Sequence, residues 1–139
     1  MTAREVLISL IKRFEGLRLK AYLCPAGVWT VGFGSTGKDV DKNTVWTHEK
    51  ATERMNKDAT MYLSATKKLC PKIENEALGA IADFSYNLGA TRLAGSTLRR
   101  RINEGDFYRA RKELMRWVRG GGRILPGLVL RRKEEAMFI

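Results

Sequence analysis

Residues 17–41 limit the fold more than any other stretch of this chain. Leu17, Leu19, Tyr22, Val28, Trp29, Val31 and Phe33 are interleaved there with Pro25, Gly27, Gly32, Gly34 and Gly37. Glycine and proline punctuate turns and break helices, while aromatic and β-branched residues suit half-buried strands. The segment therefore predicts short strands joined by tight turns. The rest of the chain reads as helix. Thr2 and Glu5 form a capping box, and Val6, Leu7, Leu10, Ile11 and Phe14 repeat at helical spacing, predicting a helix over 3–14 that stops at Gly16. Thr47 is a suitable N-cap for a long helix from Glu49 to Lys67 or Lys68. Pro71 opens the next, whose Ala77, Leu78, Ala80, Ile81, Ala82, Phe84 and Leu88 make it apolar on several sides, as the centre of a lobe requires; Gly89 ends it. Ser96 caps Thr97–Asn103, Asp106 caps Phe107–Val118, Gly120, Gly121 and Gly122 form a flexible break, and Pro126 begins a last helix to about Phe138. The layout is α+β, with the strands segregated near the front.

A chain of 139 residues fits one domain, or one domain of two lobes. It buries roughly two-thirds of its unfolded surface, so no disulfide or metal staple is needed. A hydrophobic fraction of 44% excludes intrinsic disorder. No apolar run approaches the roughly 18 residues of a membrane span, and the segment Met1 to Leu10, with Arg4 and Glu5, lacks the apolar core of a secretory signal.

Charge narrows the partners. The net charge is +11 and is uneven. Residues 1–98 carry 14 basic and 10 acidic residues, whereas residues 99–139 carry 12 basic and 5 acidic. Such a surface attracts polyanions: nucleic acid, anionic lipid, or an anionic polymer such as a bacterial wall. Arg99, Arg100 and Arg101 point in different directions if they lie on a helix, which suits a solvated face better than a nucleic-acid stripe. Two cysteines, Cys24 and Cys70, make a poor disulfide framework. A single histidine, His48, excludes His-cluster metal sites and leaves a Ser-His or Cys-His mechanism dependent on a residue at a helix start. No metal and no cofactor are expected. Gly32-Phe33-Gly34 lies among strands, so it reads as a turn in the sheet and not as a nucleotide loop.

Glu15 is the first candidate for chemistry. It sits at the C-terminal end of the first helix, where the helix dipole disfavours negative charge. That suits a group which must keep a proton to act as a general acid; an exposed glutamate at a fraying helix end is the alternative.

The surrounding order of residues decides more. Phe14 to Thr36 reads FEGLRLKAYLCPAGVWTVGFGST. This resembles the signature of the phage-type lysozymes, in which a Glu is followed after eight residues by an Asp and after five more by a Thr, within E-G-x-R-x-x-A-Y-x-D-x-x-G-x-x-T-x-G-x-G. Glu15 and Thr30 take the first and third positions, while Cys24 stands where the family has Asp. Ser85-Tyr86-Asn87-Leu88-Gly89, Ser96-Thr97-Leu98 and Gly121–Leu128 before Arg131-Arg132 are similar to later segments of the same family, in the same order.

The resemblance implies a lysozyme-like fold: a small N-terminal β lobe, about 15–46, and a larger helical lobe, about 69–139, with the N-terminal helix packed on it and a long helix joining the two. It implies a muramidase cleaving the β-1,4 bond between N-acetylmuramic acid and N-acetylglucosamine. Glu15 would be the acid and Thr30 would hold the attacking water. Cys24 is left with three readings: a thiolate base or electrostatic partner in an electropositive site near Arg18 and Lys20, a weak substitute, or an inactivating change. An ordinary thiol, unlike a carboxylate, is mostly protonated at neutral pH. A Cys24–Cys70 disulfide that silences the site is a further possibility, against Cys70 as a small buried residue. The expected setting is a phage endolysin made in the host cytoplasm, released through a holin lesion, acting on wall peptidoglycan as a monomer. A single catalytic domain over 1–139 is expected, with no separate wall-binding domain, no specific nucleic acid and no stable membrane anchor. Arg131, Arg132 and Lys133 on the last helix could disturb anionic membrane, or its Leu128, Val129, Ala136 and Met137 could form core. The rival reading is a basic nucleic-acid-binding module, for which no recognised motif is present.

Overall fold

The computed structural model describes residues 1–139. Helix α1 spans Ala3–Glu15 and carries the predicted capping box, with Thr2 accepting from the Glu5 amide and Glu5 reaching back to the Thr2 amide. Its buried residues, Val6, Leu7, Leu10 and Ile11, are those of the predicted stripe. Strands β1 (Arg18–Leu23) and β2 (Trp29–Gly32) form an antiparallel pair with a bulge between Arg18 and Tyr22. Lys20 bridges to Val45, and Val31 to Ser35, so Gly32-Phe33-Gly34 is a turn at the end of the small sheet.

Helix α2 (His48–Leu69) leads from this sheet into the helical body, capped by Thr47. Helices α3 (Asn75–Leu88), α4 (Ala90–Ala94), α5 (Thr97–Asn103), α6 (Phe107–Leu114) and α7 (Pro126–Ala136) form that body. The architecture is helix-rich α+β, with the strands confined to small antiparallel pairs. Helix α3 runs through its centre, with every residue from Gly79 to Ser85 buried. One core cluster gathers Ile81 and Phe84 with Leu93, Leu98, Ile102 and Leu114. Another joins Leu7 and Ile11 of α1 to Met55 of α2, Ala82 of α3 and Phe33.

Glycine at 79 is a packing requirement. A Cβ there would collide with the Ala3 carbonyl oxygen and approach Val6 Cβ to 2.9 Å. Gly79→Ala gains about 1 kcal/mol of helix propensity, but overpacking costs about 1–3 kcal/mol. The backbone of α1 is the obstacle, so the loss wins. Thermal unfolding of Gly79→Ala is expected several degrees below wild type. Gly127→Ala, at a helical position with no neighbouring atom within 4 Å, is expected to unfold at or above wild type.

The structure departs from the sequence reading in four places. Helix α3 begins at Asn75, not Pro71, because Lys67 Nζ donates to the carbonyls of Pro71 and Ile73 and holds that segment as a turn, with Ile73 in the core. Helix α6 stops at Leu114 and not Val118. The amides of Met115, Arg116 and Trp117 each bond three residues back, a tight turn that brings Trp117 edge-on to Phe84, 5.4 Å between ring centroids. Gly120–Gly122 is no flexible break: strands β3 (Arg119–Gly120) and β4 (Arg123–Ile124) pair as a hairpin. Gly121 and Gly122 have φ of 58° and 79°, the left-handed pair that a two-residue hairpin turn needs. Finally, α7 buries Arg131, Arg132 and Glu135 rather than an apolar face, while Met137 is exposed. Two of the three cations considered for membrane contact are therefore interior.

Candidate active site

Glu15 is the last residue of α1. Its carboxylate accepts a 2.7 Å hydrogen bond from Arg131 Nη1 of α7. Arg131 is itself held from behind by Asp83 of α3, with Nε to Oδ2 and Nη2 to Oδ1 both at 2.8 Å. The Phe14 ring lies 5.7 Å from the Arg131 guanidinium. Asp83 is fully buried, Arg131 is nearly so, and the Glu15 side chain keeps 17% of its exposure. The row Asp83–Arg131–Glu15 thus runs from the interior to the surface and aims one carboxylate outward. The helix dipole, taken alone, disfavours negative charge at Glu15; Arg131 supplies the opposing charge.

Beyond Asp83 the charges continue. Glu135 and Arg132 are buried side by side, and Arg132 Nη2 donates both to Glu135 Oε2 (2.9 Å) and to Asn87 Oδ1 (2.8 Å). Burial, followed by the neighbouring Asp83, pushes the Glu135 carboxyl well above its ordinary range, with Arg132 opposing. Burial would push Asp83 up as well, but the charge and hydrogen bonds of Arg131 outweigh it and hold Asp83 low. Burial therefore favours the protonated form of Glu135, while Arg131 favours the charged form of Asp83.

Gly34 adjoins Glu15 from the β side. A Cβ on Gly34 would lie 2.5 Å from Glu15 Oε1, so a side chain there would displace the carboxylate. Gly34 also lines a polar cavity of about 90 Å³ with Ser35, Arg54, Asp58 and Tyr86. The Tyr86 hydroxyl donates to the Phe33 carbonyl at 2.6 Å, tying α3 to this edge of the sheet.

Cys24 and Thr30 lie on the β1–β2 hairpin. The Gly27 amide donates to the Cys24 carbonyl at 2.8 Å, closing a β-turn over 24–27. The Cys24 amide (3.0 Å) and the Thr30 hydroxyl (2.9 Å) donate to the same Val28 carbonyl, which binds the two positions into one unit. With its proton committed to Val28, the Thr30 oxygen faces other groups as an acceptor. Tyr22 lies across the ladder from Thr30, with the Arg18 guanidinium 4.7 Å over its ring. Burial raises its phenol above the ordinary value, the Glu15 carboxylate adds to this, Arg18 opposes it, and Cys24 adds further.

The family assignment follows from this arrangement together with comparison to known proteins. The phage lysozyme family model matches residues 12–135, which include the Glu15, Cys24 and Thr30 positions. The chain belongs to the phage lysozyme family. It is 40% identical over 145 residues to an endolysin of Acyrthosiphon pisum secondary endosymbiont phage 1, covering 99% of this chain and 98% of that one. It is 36% identical over 138 residues to the endolysin of Bacillus phage B103, covering 97% of this chain but 52% of the relative. The chain thus spans about half the length of that Bacillus phage relative. Among solved structures, the muramidase domain of SpmX from Asticaccaulis excentricus superposes with a TM-score of 0.82 at 29% identity, covering 94% of this chain and 92% of that one.

Within this family frame, both cysteines are free thiols. Cys24 is half-buried at its turn, whereas Cys70 is fully buried in the helical core. Burial pushes the Cys70 thiol up to about 11. Cys70 is thus the small buried residue of the bland reading. Under native conditions iodoacetamide is expected to label one cysteine per molecule, Cys24, with Cys70 labelled only after unfolding. Mass mapping of the labelled peptide checks this, and early labelling of Cys70 would refute it.

Sequence reasoning missed Arg131 and Asp83 as parts of the site. One signal was available. Asp83 is the lone charge in the apolar run from Leu78 to Phe84, and a carboxylate buried there needs a cation. What the sequence did not indicate was which of 26 basic residues supplies it.

Proposed function

We propose that this chain is a peptidoglycan muramidase in which Glu15 is the general acid, Thr30 positions water and Cys24 takes the place of the family's carboxylate. The observation that carries this reading is the Asp83–Arg131–Glu15 row, which presents one carboxylate from a buried anchor against Gly34, at the edge of the small sheet whose hairpin bears Cys24 and Thr30.

Glycoside hydrolysis with inversion needs an acid on the leaving oxygen and a water activated on the opposite face of the sugar. Glu15 protonates the glycosidic oxygen as the bond to the anomeric carbon breaks. Positive charge then develops on the sugar ring. A water donating one hydrogen bond to the Thr30 oxygen attacks the anomeric carbon, and Cys24, acting as the thiolate, accepts its proton and becomes the thiol. The Thr30 hydroxyl suits this role because its own proton is committed to the Val28 carbonyl.

The setting that fits is lysis of a phage host: synthesis in the cytoplasm, passage through a holin lesion and action on the wall as a monomer. The lobes of the cleft in this reading are residues of about 15–46 and about 69–139, with α1 packed on the second. Two measurements test the proposal. Digested sacculi, reduced with borohydride, are expected to yield muramitol ends; glucosaminitol ends, or none, would overturn the muramidase reading. Cys24→Ser is expected to lower the rate at least tenfold and Cys24→Asp to keep or restore it. An unaltered rate in Cys24→Ser would remove the sulfur from the mechanism.

A further inference from the structure

The hairpin of β3 and β4 stands apart from the rest of the helical body. It leaves that body at Val118 and returns at Leu125, whose amide donates to the Val118 carbonyl at 2.9 Å. Its tip reaches the other lobe: a Cβ on Gly121 would lie 4.0 Å from the carbonyl oxygen of Pro25, the residue after Cys24. The hairpin therefore spans the gap between the helical body and the turn that carries Cys24.

Two arginines are mounted on it. In the hairpin register Arg119 pairs with Ile124 and Gly120 with Arg123. Cross-strand partners share a face and successive residues alternate, so Arg119 and Arg123 lie on opposite faces of the ribbon. Both are exposed, and neither is within ion-pair distance of a carboxylate. Most other cations of the C-terminal region are engaged. Arg101, Arg109 and Arg116 pair with acids on or beside their own helices. Arg99 and Arg111 donate to backbone carbonyls, and Arg131 and Arg132 are buried. The hairpin is thus where free guanidinium charge meets the edge of the site.

We infer that this hairpin is a substrate grip, with Arg119 and Arg123 binding carboxylates of the wall peptides that branch from the glycan strand. A strand passing either face of the ribbon near Cys24 meets one guanidinium. The planar guanidinium fork matches a carboxylate in a bidentate pair. The grip rests on the muramidase reading and deepens it, by assigning recognition of the substrate's charge to residues outside the Glu15–Cys24–Thr30 set.

The test compares two forms of one substrate: soluble peptidoglycan fragments, and the same fragments with their carboxyls converted to neutral amides by carbodiimide and methylamine. The variant is Arg119→Gln with Arg123→Gln. A control, Arg100→Gln with Lys133→Gln, removes the same charge from exposed positions off the hairpin. On carboxylate-bearing fragments the hairpin variant is expected to raise KM about tenfold, with kcat within twofold, and to flatten the dependence of KM on salt. On amidated fragments it is expected to match wild type, and the control is expected to match wild type on both. An equal effect on both substrates, an equal effect of the control, or no effect at all would overturn the grip while leaving the muramidase reading intact. Failure of wild type to cleave either substrate would remove both.

Discussion

Glu15→Gln is expected to leave a folded protein that no longer clears a suspension of bacterial wall, with the rate down by about 10³-fold or more. General acid catalysis contributes roughly 10² to 10⁴ in rate, and breaking a glycosidic bond depends on a proton reaching the leaving oxygen. Glutamine keeps the shape of glutamate. Its amide oxygen still accepts from Arg131 Nη1, and Arg131 remains neutralised by Asp83, which grips it through two 2.8 Å hydrogen bonds. The melting temperature should therefore move by no more than a few degrees. Loss of activity together with loss of fold would not fit this account, and clearing within tenfold of wild type would remove Glu15 as the acid.

Arg131→Leu should have the largest effect on stability. It strands Asp83, whose side chain is fully buried, without its cation. Removing one partner of a buried ion pair costs about 3–5 kcal/mol, which for a chain of this size lowers Tm by roughly 10–15 °C. The pH dependence carries a signature. In the wild type, burial favours the protonated Asp83 carboxyl, but Arg131 outweighs it and holds the group below its ordinary range. A carboxyl with a lowered folded value adds stability at neutral pH, and that stability is lost as the solution is acidified below about pH 5. In Arg131→Leu the largest opposing charge is gone, burial is set only against the smaller effects of Glu135 and Arg132, and the folded Asp83 carboxyl is expected to move upward. The difference in stability between the two proteins is therefore largest near neutral pH and shrinks towards pH 4. Should the single variant fail to fold, Arg131→Leu combined with Asp83→Asn removes the stranded charge and is expected to recover at least half of the loss. A double variant no more stable than the single one would show that the pair does not act as described.

The two predictions draw on residues of very different legibility. Glu15, Cys24 and Thr30 lie within sixteen residues of one another, in a segment whose local order of glycine, aromatic and charged residues restricts it to a hairpin after a helix. The capping box of α1, the Thr47 cap of α2 and the apolar centre of α3 were legible for the same reason, since helical spacing and caps are local properties. Where the reading strayed, distant groups had acted on a local pattern. Lys67 held Pro71 and Ile73 out of α3, and Trp117 packing on Phe84 accompanied the early end of α6.

The last helix shows the limit most clearly. Its sequence sets apolar Leu128 and Val129 beside charged Arg131, Arg132 and Lys133, a pattern that reads as an apolar core face or as cations turned to anionic membrane. Both arginines are instead buried: Arg131 because Asp83 sits in the core of the molecule and a carboxylate there requires a cation from another element, Arg132 against Glu135 and Asn87.

From the sequence alone came the α+β class, the family and the three positions expected to perform the chemistry, because each is written in the order and spacing of nearby residues. Only the tertiary structure decided that Glu15 is held by an arginine 116 residues away, that Cys70 is sealed in the core, and that a hairpin from the helical body reaches the turn at Cys24. Those contacts join parts of the chain with no local relation, and the charge or shape that selects each partner exists only once the elements have packed.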